Sequence, residues 1–157
     1  MSTYSEKEWQ TLLFGPMWLF QAVAGADGLI DKKEWMAFFD VLSDADGFEN
    51  ALTKAVFKRL LDNFERVSAA FEEVHHHISA GLQTMADLVD EREDPDDAYD
   101  FKANMLELAT EVAERSGGGL FKSGISEIEK EAISYVFNAL NMTEAEFYSL
   151  LEDFGVS

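Results

Sequence analysis

The sequence predicts an all-α fold, a compact bundle of six to eight helices in a single domain over residues 1–157. Three observations carry that reading. Apolar residues recur at spacings of three and four from Trp9, Leu12 and Leu13 through to Phe147, Leu150 and Leu151. Segment after segment opens on Ser, Thr or Asp with Glu three residues later, the capping box that satisfies two orphan backbone donors at a helix start. No stretch of useful length alternates apolar and polar residues, as a half-buried strand requires.

In chain order, Ser5-x-x-Glu8 opens a first helix that Gly15-Pro16 is expected to end or kink. Pro16 then suits the first position of a second helix, where a missing N–H costs nothing. Met17, Trp18, Phe20, Ala22 and Val23 make that helix apolar nearly all round, so it should be central. Asp31-x-x-Glu34 opens a helix with Trp35, Phe38, Phe39 and Leu42 inward, which stops in the loop 43–47. Asp46-x-x-Glu49 is read as the next start. The apolar pattern then continues from Leu52 to Leu88, with a break expected near Asp62-Asn63. Acidic residues 90–97 form a solvated connection. Asp94-Pro95-Asp96-Asp97 combines a cap, a first-turn proline and acids at the positive end of the helix dipole. The helix that follows runs to just before Gly117-Gly118-Gly119. Ser126-x-x-Glu129 and Thr143-x-x-Glu146 open the last two, and Asn141 suits a left-handed cap between them.

Composition bounds the function. With 47% hydrophobic and 13% aromatic residues the chain buries a real core. Thirty-one acidic residues against twelve basic ones leave a formal charge of −19. Such a field repels nucleic acid and anionic membranes and favours cations or basic partners. The absence of cysteine excludes disulfides, thiolate metal sites and a cysteine nucleophile. The apolar run from Leu12 to Ala26 is too short to span a bilayer, and Glu6, Lys7 and Glu8 replace the positive start of an export signal. A soluble, cytoplasmic protein with no membrane insertion is expected.

Two segments match each other. Ile30-Asp31-Lys32-Lys33-Glu34 parallels Ile125-Ser126-Glu127-Ile128-Glu129, and similar helices precede and follow both. Two degenerate pseudo-repeats, approximately 16–62 and 98–155, joined by a long helical segment and an acidic linker, give an economical account.

The stretch 24–34, Ala-x-Ala-Asp-Gly-x-Ile-Asp-x-x-Glu, resembles the signature of the tellurite-resistance TerB-like family, and Ile125-Ser126-x-x-Glu129 with 139–147 looks like that family's second half. The resemblance implies an all-helical fold of two pseudo-repeats, a cytosolic protein tied to tellurite and chemical-stress operons, and acidic residues that hold a metal cation. Asp27, Asp31 and Glu34 match the motif. The second half has Ser116 or Lys122 where the first has Asp27, which argues against two equivalent sites.

The chemistry of the candidates is limited. Asp27, Asp31 and Glu34 gather at one helix start, and Glu129 joins them by pseudo-symmetry. Oxygen ligands of this kind suit a divalent cation, Ca, Mg or Mn. The plainer account is that Asp31 and Glu34 cap a helix while Gly28 makes the turn. The segment is no EF-hand, because Val23 and Gly25 occupy two ligand positions. On a helix His75-His76-His77 would spread over about 200° and could not converge on one ion. A di-iron site needs a second Glu-x-x-His that the chain lacks, so the expected role is Glu72–His76 and Glu73–His77 pairing on a wet face. Trp9, Trp18, Phe20, Trp35, Phe38 and Phe39 read as core. No phosphate loop or paired-acid spacing marks an enzyme. The sequence therefore points to a non-enzymatic module binding a divalent cation, a partner protein or both through an acidic face. A ligand-free helical scaffold is the alternative, and a homodimer is one form of partnership.

Overall fold

Alternation between buried and exposed residues at helical spacing persists through the computed structural model, which describes residues 4–24, 32–74, 77–116 and 134–153. Among the described residues there is no strand. The elements are α1 (Glu6–Ala24), α2 (Lys32–Ser43), a 3₁₀ turn (Ala45–Gly47), α3 (Ala51–Asp62), α4 (Phe64–Glu73), α5 (Ile78–Arg92) and α6 (Pro95–Ser116). They are followed by α7 over 134–139 and α8 (Glu144–Asp153).

α1 is the central element. Every residue from Leu12 to Phe20 is buried, and α5, α6, α3 and α4 all pack against it. Gly15-Pro16 does not end the helix, which carries Pro16 in its interior. Pro16 forgoes the N–H that would bond the Leu12 carbonyl, which ordinarily costs about 3 kcal/mol. Burial on both sides of it offsets that loss. α5 packs closely on Gly15: a Cβ there would lie 2.2 Å from the Met85 sulfur.

Several local expectations hold. Ser5 and Glu8 exchange the two capping-box bonds, with Ser5 N–H donating to Glu8 Oε1 at 2.9 Å and Glu8 N–H donating to Ser5 Oγ at 3.2 Å. Thr143 and Glu146 do the same at 2.8 and 3.2 Å. Asn141 has φ 59°. The long apolar run breaks at Asn63, whose backbone N–H and side-chain amide both donate to the Arg59 carbonyl. α6 starts at Pro95, with Ala98 N–H donating to the Asp94 carbonyl.

Asp46 does not start a helix. It lies in the 3₁₀ turn, paired with Lys58, and the cap of α3 is Asn50. Asn50 Oδ1 accepts from Thr53 N–H at 2.8 Å, while Asn50 Nδ2 donates to the Asp97 carbonyl of α6 at 3.1 Å. The Thr53 hydroxyl lies 2.9 Å from Asn50 Oδ1 and 2.8 Å from Asn104 Oδ1. One carboxamide thus caps α3 and ties it to α6, which an aspartate at position 46 could not do. Asn50→Ala should cost about 2 kcal/mol, the upper end for a lost cap, because the tie to α6 goes with it. Asn50→Asp should recover part of the loss by keeping the acceptor. Full recovery of the wild-type midpoint by Asn50→Asp in urea unfolding would refute the second role, because aspartate keeps the cap and loses the donor to Asp97.

The run also breaks at Val74, which is extended, so α4 ends at Glu73. His77 is extended as well and precedes α5. The helical spacing assumed for Glu73–His77 pairing is therefore absent, and His76, assigned to Glu72, lies outside the described residues. A continuous helix from Ala51 to Arg92 would reach about 60 Å at 1.5 Å per residue, far beyond the bundle. Breaking the run lets Val67 and Phe71 of α4, then Leu82, Met85, Ala86 and Val89 of α5, each return to the core. One contiguous cluster of buried residues extends from Tyr4 to Leu150.

Candidate functional site

Of the four carboxylates anticipated as cation ligands, only Glu34 lies among the described residues; Asp27, Asp31 and Glu129 fall outside them. Glu34 sits on the first turn of α2 and is 3% exposed. A carboxylate so placed requires a partner, and Glu34 has one: among the described residues no buried side-chain N or O lacks a hydrogen bond. Among the described residues no three His, Asp or Glu side chains converge in the manner of a metal site.

The acidic face that the structure does assemble lies elsewhere. Asp100, Asn104, Glu107 and Glu111 are spaced four, three and four residues apart on α6, so they form one stripe. α2 packs along α6 and brings Asp40 and Asp44 to that stripe, with Phe48, Glu49 and Asn50 from the following turn. The result is two adjoining hollows of about 350 and 210 Å³ that share Asp44, Phe48 and Glu107. The α6 spacing was available in the sequence. Its partners were not, because Asp44 and Glu107 meet only when α2 docks on α6.

Carboxylates crowded in this way resist ionisation. Burial first, then repulsion from Glu111 and Asp44, holds the Glu107 carboxyl above its ordinary range, against a hydrogen bond with Asn104 that favours the charged form. Asp100 is raised as well, by desolvation and by its neighbours Asp97, Asp96 and Glu49. Glu107 therefore binds its proton more tightly in the folded chain than in the unfolded one. Its contribution to stability is complete below the ordinary carboxylate range and is lost as pH rises through the raised folded value. Glu107→Gln should raise the melting temperature at neutral pH and change it little in acid, where both side chains are neutral. A melting difference that does not vary with pH would show that the carboxylate repulsion is unimportant.

The N-terminus is tied down by a separate polar cluster. The Tyr4 hydroxyl donates to Glu93 Oε2 at 2.6 Å, and Arg92 pairs with Glu8 while lying over the Tyr4 ring. Burial and the Glu93 bond both raise the Tyr4 pKa. This joins α1 to the end of α5.

No protein family, curated protein or solved structure matches the chain. The resemblance to TerB-like proteins thus rests on its motif residues. No described helix is long and apolar enough to cross a membrane.

Proposed function

We propose that this chain is a non-enzymatic, cytosolic binding module that receives a basic protein segment in the acidic cleft between α2 and α6. The supporting observation is Glu107: a half-buried carboxyl, its pKa held up first by burial and then by neighbouring acids, beside Asp44 and Glu111 in one cleft, gains most when a cation arrives. A Lys- or Arg-bearing segment matches a cleft whose carboxylates are spread along a helix, and it tolerates their lack of convergence. The −19 charge would speed its approach. The TerB-like relationship, its two pseudo-repeats over 16–62 and 98–155 and a role in tellurite or chemical stress belong to the same proposal; the all-helical fold accords with them.

A second reading rests on the match of Asp27, Asp31 and Glu34 to the motif. In it Asp27, Asp31, Glu34 and Glu129 hold a divalent cation, Ca, Mg or Mn. Both readings are tested by thermal unfolding of metal-stripped protein at matched ionic strength, alone, with each cation and with an oligolysine peptide. A ligand that binds only the native state raises its melting temperature. A rise with oligolysine that Glu107→Gln/Glu111→Gln abolishes supports the cleft. A rise with one cation that Asp27→Ala/Glu34→Gln abolishes supports the metal site. No rise under any condition would leave a ligand-free scaffold, with homodimerisation as its simplest partnership.

A further inference from the structure

A second groove, on the other side of α3 from the α6 contact of Asn50, carries charge of the opposite sign. It runs between the first half of α1 and the junction of α3 with α4, with a volume of about 670 Å³. Lys7, Arg59 and Arg66 line it, against one carboxylate, Glu6. All three cations are exposed. Elsewhere in the fold Lys58, Arg92 and Lys102 each pair with a carboxylate, while Lys32, Lys33 and Lys54 stand more than 4 Å from any described one. Among the described residues none lies within 4 Å of Lys7, Arg59 or Arg66. In a chain whose acids outnumber its bases 31 to 12, three cations without a carboxylate partner among the described residues, gathered around one hollow, form a local exception to the field of the molecule.

Arg59 is also oriented. Its guanidinium lies 3.7 Å above the Trp9 ring, a cation–π contact that holds the planar fork while leaving its N–H donors available. The opposite wall is apolar, made by Leu13, Phe14, Val67 and Ala70. Asn63, where α3 ends and α4 starts, lines the groove too.

We propose that this groove binds a small amphipathic organic anion. Its carboxylate or phosphate head is held by Arg59 and Arg66 with Lys7, and its acyl or aryl body lies on the apolar wall. The volume falls in the range of small-molecule pockets. A polyanion such as nucleic acid is disfavoured, because its remaining charges would face the −19 of the molecule. A small anion presents its charge only where the three cations are. The site is separate from the α2–α6 cleft, and its test does not depend on that reading.

The probes are 1-naphthoate (aryl) and decanoate (acyl), with neutral 1-naphthamide and inorganic phosphate as controls. Binding is followed through backbone and tryptophan indole N–H chemical shifts. We expect saturable binding of at least one carboxylate, with shifts centred on Trp9 and residues 59–66. The exposed-site variant Arg59→Gln/Arg66→Gln should weaken it tenfold or more while the chain still unfolds in one cooperative transition, its melting point lowered only by the lost Arg59–Trp9 contact. Which of the two carboxylates binds more tightly assigns the body as aryl or acyl. The proposal is overturned if naphthamide binds as tightly as naphthoate, if phosphate alone binds as tightly as either carboxylate, if the double variant retains full affinity, or if nothing saturates.

Discussion

Phe38→Ala should lower the unfolding free energy by about 3–5 kcal/mol, the range for deleting a fully buried aromatic ring. Phe38 is 0% exposed. From α2 its ring meets Phe20 of α1 at 4.8 Å and Phe64 of α4 at 6.5 Å, with Trp35 and Phe39 of its own helix at 6.0 and 5.7 Å. Truncation removes the central member of a five-ring cluster joining three helices, and the rings left behind are too rigid to fill the space. Phe38→Leu keeps most of the volume and should cost roughly half as much or less. Urea unfolding followed by circular dichroism measures both. A loss below about 1 kcal/mol for the alanine variant would mean that the cluster collapses readily and does not organise this end of the core.

Gly81→Ala should destabilise the protein by about 1–3 kcal/mol, the cost of overpacking a filled interface. The sign is the informative part. In a helix interior alanine is normally favoured over glycine by about 1 kcal/mol. At this position on α5 a Cβ would meet three atoms of the Trp18 indole at 2.6, 2.7 and 2.9 Å. Trp18 is buried on α1 and packs edge-on against Phe14 at 5.8 Å, so the ring has little room to retreat. In a Trp18→Phe background the penalty should shrink, giving a favourable coupling energy of about 1 kcal/mol or more. Stabilisation by Gly81→Ala in the native sequence would show that α5 can withdraw from α1, and that the helix pair is looser than its geometry implies.

Agreement between sequence and structure follows how local each interaction is. The Ser5–Glu8 and Thr143–Glu146 boxes involve residues three apart, and both form. The start at Asp94-Pro95, the break at Asn63 and the left-handed Asn141 are equally local. Asp46-x-x-Glu49 has the same pattern and fails as a cap, because Asn50 can satisfy α3 and α6 together while Asp46 finds Lys58. A motif rule sees one helix end; the choice between two caps was made by a second helix. Gly15-Pro16 similarly fails to end α1, since burial from Leu12 to Phe20 outweighs the lost backbone bond.

What the sequence determined by itself is the helical class, most helix starts and which faces are apolar, all consequences of contacts within a turn or two. The two charged surfaces were decided only by tertiary structure. The acidic cleft pairs Asp44 with Glu107, and the basic groove pairs Lys7 and Trp9 with Arg59 and Arg66. Each pair is separated by some fifty residues or more. Charge carries no period that reveals its partner across such a distance. Only the docking of α2 on α6, and of α1 on α3 and α4, brings like charges together and gives a net-acidic molecule one cationic hollow.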